Sequence, residues 1–209
     1  MARRTKAQAQ DTRSHILDMA ELEFQRHGVS RTSLQEIARA AGVTRGAIYW
    51  HFRDKSDLFN AMMNRVALPL EREIARSADP ALPDPLGQIR ASFMAALRTA
   101  VSDPQARRTF EIALHKVEYV DEMQAVRDRR TQGLAERVGQ LESGLKRAAR
   151  LGALGGRVPA RAAAMGVHSL LDGLLHNWML DPEGFDLLKV GRQCIDAYLR
   201  GLQHPAPAA

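Results

Sequence analysis

The residues best suited to chemistry lie in one eleven-residue stretch, GVTRGAIYWHF at residues 42–52. It joins two glycines, a hydroxyl and a guanidinium to an unbroken aromatic row that includes Tyr49, Trp50 and His51. The whole chain has only two tryptophans and three tyrosines, so this concentration is unusual. Hydroxyl, indole and imidazole groups donate hydrogen bonds to phosphate oxygens. The residue types therefore favour contact with nucleic acid.

Helical spacing divides this row into two sets. Ile48 and Phe52 are four residues apart, which places them on one face of a helix and predicts that both enter the core. Tyr49, Trp50 and His51 then remain on the outer side, where they can donate to phosphates. The alternative is that the whole row fills a hydrophobic core.

The start of the same helix carries groups that can read bases. Thr44 offers a hydroxyl at the helix N-terminus, where backbone N–H groups also meet phosphates. Arg45 can bind guanine O6 and N7 through two hydrogen bonds. Gly46 and Ala47 permit close approach of the backbone, and the Ala47 methyl group can contact a thymine methyl group.

The preceding segments are predicted to hold this helix in place. Gly28 ends a first helix, and Thr32 or Ser33 caps a second one with Glu36 as a capping-box acid. Gly42 stops that second helix, so the next one follows after a tight turn. Two helices joined in this way predict a helix-turn-helix, whose second helix enters the major groove of DNA. Lys55, at the start of the following helix, adds a positive charge.

The chain as a whole is predicted to be all-α, with about nine helices. Its 209 residues show helical spacing throughout and almost no alternating strand pattern. The prolines within residues 79–85 mark the clearest break. We assign residues 1–55 to an N-terminal three-helix DNA-binding domain and residues 56–204 to a ligand-binding and dimerisation domain. Residues 205–209 are predicted to be a disordered tail.

Charge and cysteine content narrow the partner and the compartment. The net charge is +6, and residues 1–65 hold eleven Lys and Arg against seven Asp and Glu. This basic N-terminal part suits an acidic partner, although charge alone also fits an inert basic surface. Cys194 is the only cysteine, which excludes an internal disulfide. Without a secretory signal or a membrane-spanning run, the sequence predicts a cytoplasmic protein.

The longest motif resembles a known family. The segment TSLQEIARAAGVTRGAIYWHFRDKSDLF is similar to the signature of the TetR family of bacterial transcriptional repressors, and most similar to its AcrR-like branch, which controls multidrug efflux pump genes. Later stretches, such as LLDGLLHNWMLDP, also resemble that branch. The resemblance implies an N-terminal DNA-binding domain, a homodimer and a C-terminal domain that binds a small inducer. By position, it assigns DNA contacts to Thr32, Ser33, Thr44, Arg45, Gly46, Ala47, Tyr49, Trp50, His51 and Lys55.

Two apolar stripes near the C-terminus are candidates for a dimer interface. Their helical spacing alone fits a partner subunit and the chain's own core equally well. The resemblance favours the dimer, because the family pairs through its last two long helices. The predicted interface residues are Ala163, Gly166, Leu170, Leu174, Trp178, Val190, Cys194 and Tyr198.

The middle helices are expected to bind the inducer. Pockets for drug-like molecules are mostly apolar with a few polar groups, and methionine adapts to varied shapes. Asp172 lies in an apolar stretch, where a lone carboxylate is costly unless it is paired, and its position matches a pocket carboxylate of the AcrR-like branch. A salt bridge or a helix cap is the alternative. The predicted ligand contacts are Phe93, Met94, Leu97, Phe110, Glu111, Leu114, Val138, Met165, His168 and Asp172.

These features predict a ligand-responsive, homodimeric repressor of a multidrug efflux operon. It would bind a palindromic or pseudo-palindromic DNA operator and be released by small hydrophobic or cationic ligands. The competing hypothesis is an all-α enzyme with Asp172 and His168 as acid and base, and a transcriptional activator is a third hypothesis. Glu111, His115 and Glu118 share a helix face, but a local ion network explains them without a metal. No cofactor is predicted.

Overall fold

The chain forms an all-α fold, as the sequence predicts. The computed structural model describes residues 6–76, 79, 81–118, 123–156 and 158–203. The predicted tail at 205–209 lies outside them. The described part contains no strand and nine helices: α1 Lys6–His27, α2 Leu34–Ala40, α3 Arg45–His51, α4 Lys55–Arg76, α5 Pro85–Ser102, α6 Pro104–His115, α7 Gln124–Arg150, α8 Ala160–Leu180 and α9 Leu187–Gln203.

The helices divide into two compact units. The first unit comprises residues 1–66 and 108–130, and the second comprises residues 67–107 and 131–209. Helices α4, α6 and α7 each have residues in both units. The first unit therefore contains α1–α3 together with parts of these three helices.

Glycines end the first two helices of unit one, as the sequence predicts. Gly28 has φ +83° and donates its N–H to the carbonyl of Phe24, which closes α1. Gly42 has φ +62° and forms the turn between α2 and α3. Both values lie in the left-handed region, where glycine lacks the steric penalty that other residues meet. The direction of α3 relative to α2 depends on this turn.

The core of unit one combines side chains from α1 to α4 with others from much later in the chain. Ile16, Phe24 and Phe59 are buried in it, and the last two pack with ring centroids 6.1 Å apart. Ile112 and Met123 are fully buried in the same hydrophobic cluster. The three-helix segment therefore does not close its own core, and residues after 108 complete it.

Helix α4 contains a proline in its interior, Pro69. Proline has no N–H, so the carbonyl of Arg65, four residues earlier, lacks its usual helical partner. The side chain of Arg65 makes a separate contact with α1, in which its Nη1 donates to Asp18 Oδ1 at 2.6 Å. This ion pair holds the first half of α4 to α1 within unit one.

In unit two, α9 packs closely against α5. A Cβ atom at Gly191 would overlap the side chain of Leu97, so the glycine permits this approach. Arg90 on α5 also donates from Nε and Nη2 to both carboxylate oxygens of Asp196 on α9, at 2.6 and 3.1 Å. The hydrogen bonds from Arg90 hold the pKa of Asp196 below its usual value.

Helix α8 packs against α9 and is covered at its C-terminal end. The Tyr198 hydroxyl donates to the carbonyl of Ala163 at 3.0 Å, and its ring occupies the space that a side chain at Gly166 would need. Burial raises the pKa of this Tyr198 hydroxyl. The guanidinium of Arg107 lies 4.7 Å from the ring centroid of Trp178, a cation–π contact.

Among the helices that the structure describes, none is long and apolar enough to cross a membrane.

Candidate nucleic-acid interface

A capping box fixes the start of α2. Ser33 Oγ accepts from the backbone N–H of Glu36 at 3.2 Å, and the backbone N–H of Ser33 donates to Glu36 Oε2 at 2.8 Å. This second hydrogen bond lowers the pKa of Glu36 below its usual value. The Ser33 hydroxyl also donates to Glu36 Oε2, so its proton is already used within the protein.

Thr44 caps α3 in a different way. Its Oγ1 accepts from the backbone N–H of Ala47 at 3.2 Å. This contact uses a lone pair and leaves the hydroxyl proton for an outside acceptor. Thr44 is exposed, as are Arg45 and Gly46 beside it. The N-terminus of α3 thus presents a hydroxyl donor and a guanidinium on an accessible backbone.

The row of side chains at residues 48–52 divides into a buried and an outer set, as helical spacing predicts. Ile48 and Phe52 are buried in the core of unit one, which confirms the prediction for both. Tyr49 is 48% exposed and Trp50 is 72% exposed, whereas His51 is half-buried. The alternative, in which the whole row fills the core, does not hold for Tyr49 and Trp50. Helix α3 therefore carries two large aromatic side chains on its solvent face.

Ring contacts orient the groups on this exposed face. The Arg45 Cζ atom lies 5.7 Å from the centroid of the Tyr49 ring, so one turn of α3 holds the guanidinium over an aromatic surface. The rings of Trp50 and His51 meet edge to face with centroids 4.5 Å apart. These contacts restrict side chains that would otherwise sample many rotamers. They place Arg45 near the outer surface before any ligand arrives.

A basic depression of about 520 Å³ adjoins this surface, and sequence reasoning identified only part of it. Three cations, Arg31, Arg53 and Lys55, outnumber its one carboxylate, Asp54. The hydroxyl-bearing residues that line it are Ser30, Thr32, Ser33 and Tyr49. Lys55 Nζ donates to the carbonyl of Ser30 at 2.9 Å. The prediction included Thr32, Ser33, Tyr49 and Lys55 but missed the exposed Arg31 and Arg53. Arg31 directly precedes the segment TSLQEIARAAGVTRGAIYWHFRDKSDLF and Arg53 lies within it, so the density of positive charge there was the available signal.

Thr32 is the predicted DNA contact that the geometry favours least. It is buried, and its hydroxyl donates to the carbonyl of Gly28 at 2.8 Å. The side chain thereby ties the α1–α2 connection back to the end of α1. A structural role in this turn explains Thr32 without DNA.

Of the predicted dimer residues, two are covered by their own chain. Ala163 and Trp178 are buried, which leaves them little surface to offer a partner. The physical reason is intrachain packing, since Tyr198 contacts Ala163 and Arg107 covers Trp178. The other six are half-buried: Gly166, Leu170, Leu174, Val190, Cys194 and Tyr198.

The predicted ligand residues fall in both units and differ in exposure. In unit two, Phe93, Met94, Leu97 and Val138 are buried, and Met165 is exposed. His168 and Asp172 are half-buried and both have interactions within the protein.

In unit one, Phe110, Glu111 and Leu114 are half-buried. Glu111 Oε2 accepts from Gln25 Nε2 at 2.8 Å. Glu118, considered with Glu111 as a metal ligand, accepts from the Ser30 hydroxyl at 3.0 Å. Both carboxylates therefore contact α1 or the segment that follows it.

Comparison with known sequences identifies the family. Residues 16–62 match the family described as "Bacterial regulatory proteins, tetR family", and residues 84–204 match "MAATS-type transcriptional repressor, C-terminal region". The first match contains α2, α3 and the capped turn between them. The chain belongs to the TetR family.

Similar proteins narrow this family to its AcrR-like branch. The chain is 40% identical to the HTH-type transcriptional regulator AcrR of Shigella flexneri over 200 residues, which cover 93% of this chain and 91% of that protein. Among solved structures, NalD, the secondary repressor of the MexAB-OprM multidrug efflux pump in Pseudomonas aeruginosa, has 33% identity and a TM-score of 0.87. That match covers 94% of this chain and 98% of NalD.

The chain is also similar to SmeT in a SmeT–triclosan complex, with 32% sequence identity and a TM-score of 0.86. That match covers 95% of this chain and 99% of the SmeT chain. SmeT is described as the repressor of the Stenotrophomonas maltophilia multidrug efflux pump SmeDEF. The family and these relatives are transcriptional regulators, which rules against the enzyme hypothesis built on Asp172 and His168.

The two faces of α3 predict opposite responses to truncation. Replacing Ile48 with Ala should lower the free energy of unfolding by about 2–5 kcal/mol, because it leaves a cavity in the core. Replacing Trp50 with Ala should change it by no more than about 0.5 kcal/mol, because the indole is mostly in water. Urea unfolding followed by circular dichroism measures both. Equal losses for the two variants would contradict this division of the helix.

Proposed function

We propose that this protein is a ligand-responsive, homodimeric repressor of a multidrug efflux operon. The exposure of Arg45, Tyr49 and Trp50 on a short capped helix carries the proposal, because these groups suit a DNA groove and its phosphates. The efflux pump repressors among the relatives support the regulatory target. Since binding to an operator requires access to the bacterial DNA, we propose a cytoplasmic location. The predicted functional division remains residues 1–55 for DNA and 56–204 for ligand and dimer.

On DNA, we assign different tasks to the two ends of α3. Arg45 would read a guanine, with its guanidinium already oriented by the Tyr49 ring 5.7 Å away. Thr44 would donate its hydroxyl proton to a phosphate, and Tyr49, Trp50 and His51 would contact the sugar–phosphate backbone. The basic depression beside Arg31, Arg53 and Lys55 suits a further phosphate. These roles would fix the register of the protein on the duplex.

Two helices of unit two offer a surface for a second copy of the chain. On α8, Ala162, Ser169 and Gly173 repeat at spacings of seven and four, and Ala197 and Gly201 continue such a pattern on α9. Apart from the nearby backbone of its own helix, a Cβ atom at Gly173 or Gly201 would meet no atom within 4 Å among the described residues. Glycine inside a helix costs about 1 kcal/mol relative to alanine, so close approach by a partner gives these positions a physical reason. A two-fold dimer would carry two reading helices to two half-sites of a palindromic or pseudo-palindromic operator.

The proposed inducer is a small hydrophobic or cationic molecule. The similar protein SmeT forms a complex with triclosan, a small organic molecule. In unit two, Gln140 Oε1 is buried without a hydrogen-bond partner among the described residues, and such an atom gains from a ligand donor. Asp172 and His168 remain proposed polar contacts. The inducer would release the operator by binding more tightly to the conformation with low DNA affinity.

Salt dependence and base preference separate the two kinds of DNA contact. The operator is first located by footprinting on DNA upstream of the protein's own gene and its neighbours. Replacing Lys55 with Gln should flatten the plot of log affinity against log salt by about 0.9 for each phosphate that the protein no longer neutralises. Replacing Arg45 with Ala should instead remove about 1–3 kcal/mol of discrimination at one base pair of each half-site.

Lys146→Gln on α7 is the matched control for Lys55, because it removes the same charge and its ammonium pairs with Glu142 of the same helix. Its salt slope should equal that of the wild-type protein. Wild-type operator binding by both the Lys55 and the Arg45 variants would contradict the placement of α3 in the groove.

The dimer is tested by placing a charge on α9. Val190→Glu should weaken association by at least about 2 kcal/mol, because the carboxylate would be buried at the interface without a partner. Gln203→Glu is the control, since it adds the same charge beside Arg90 and Asp196 rather than on the α8 side. Sedimentation equilibrium measures the association constants. A monomeric wild-type protein, or a Val190→Glu dimer as stable as the control, would rule out this interface.

A further inference from the structure

A row of polar contacts joins α1 and the α1–α2 connection to α6 and the residues that follow it. Three of these contacts form the polar ladder: Glu21 with Arg108, Gln25 with Glu111, and Ser30 with Glu118, at 2.8, 2.8 and 3.0 Å. Between them, the backbone N–H of Val29 donates to the carbonyl of Lys116 at 2.9 Å. All of these residues belong to unit one.

The first contact of the polar ladder fixes the register of the two helices. Glu21 is a buried carboxylate on α1, and Arg108 Nε donates to its Oε1. A buried charge is stable only when it is paired and hydrogen-bonded, and a slide of α6 along α1 would separate Glu21 from Arg108. Hydrophobic contacts alone would tolerate such a shift more easily, because they have no direction.

The last contact lies beside the proposed DNA surface. Ser30 donates its hydroxyl to Glu118, and its carbonyl accepts from Lys55 Nζ. Ser30 and Lys55 both line the basic depression, together with Arg31. The polar ladder therefore leads from a buried ion pair to the residues proposed to hold a phosphate.

Apolar packing follows the same path. Ile112, Met123 and Val126 belong to the hydrophobic cluster that also buries Ile48 of α3 and Phe52, the residue that ends α3. Residues from after position 108 thus support both the inner face of α3 and the connection that precedes α2. The DNA-reading part of the chain depends on a segment far from it in sequence.

We propose that the polar ladder is a positioning element for operator binding, with Glu21 and Arg108 as its principal residues. Arg108, Lys116 and Glu118 hold α1 and Ser30 where the α2–α3 turn and the basic depression can meet the duplex together. Displacement of α6 along α1 weakens operator binding without changing a residue that touches DNA. The proposal rests on the proposed function, since it concerns affinity for an operator.

The test compares Glu21→Gln, Arg108→Gln and the double variant. Each single change should weaken operator binding by about 5- to 20-fold, and the double change should do little more, because both remove one coupling. Amide hydrogen exchange at Val29 should speed up in all three, since its N–H bonds to Lys116 next along the row. Exchange at Phe52, whose N–H bonds to Ile48 within its own helix end, should stay as in the wild-type protein.

Glu23→Gln is the matched control. It removes the same charge from the same helix, but Glu23 pairs with Arg26 and His27 of α1 itself. It should leave operator affinity and Val29 exchange unchanged. If Glu21→Gln and Arg108→Gln bind operator as tightly as this control, the proposal is wrong, although the proposed function stands.

Two further outcomes remain decisive. If the buried variants fail to fold, Ser30→Ala, which removes only the half-buried hydroxyl that bonds Glu118, should still speed Val29 exchange. Val29 exchange is the deciding measurement for this variant because Ser30 itself lines the basic depression. Val29 exchange that stays as in the wild-type protein would overturn the proposal. If the wild-type protein binds no operator, the proposed function fails, and unchanged Val29 exchange in Glu21→Gln would then separately refute the contact network.

Discussion

The burial of Ile48 and Phe52 is the constraint on which the DNA surface depends. Helix α3 has only seven residues, too few to be stable in water by itself, so tertiary packing must hold it. Because these two side chains are fully buried, the helix cannot rotate about its axis without exposing them. Arg45, Tyr49 and Trp50 are thereby kept on the solvent side. An exposed indole is tolerated because the anchors on the opposite face supply the stability.

Much of this arrangement follows from local sequence patterns. The glycines at positions 28 and 42 take left-handed conformations, and Thr44 and Ser33 cap helices, as composition and spacing indicate. A four-residue spacing was sufficient to assign Ile48 and Phe52 to the core. These features depend on a few neighbouring residues, so a single sequence contains the information needed to predict them.

The contacts that local patterns miss join distant parts of the chain. Glu21 and Arg108 are 87 positions apart, and neither lies in a distinctive motif. The burial of Trp178 under Arg107 likewise could not be read from spacing, because a helical stripe does not say which neighbour covers it. The stripe predicted for the dimer on α8 therefore mixes small and large residues, from Ala163 and Gly166 to Leu170, and the small residues Ala162, Ser169 and Gly173 lie beside it. Arg31 and Arg53 could not be assigned from the sequence because a positive charge alone does not show which surface a side chain joins, and the fold brings both beside Lys55.

Fluorescence of Trp50 tests the central claim most directly. The chain has two tryptophans, so Trp178→Phe leaves Trp50 as the only indole, and this residue is 72% exposed in the free protein. The account predicts that adding operator DNA shifts or quenches the Trp50 emission in proportion to the bound fraction, because the duplex displaces water from the exposed face of α3. Operator binding seen by mobility shift with no change in Trp50 emission would contradict it.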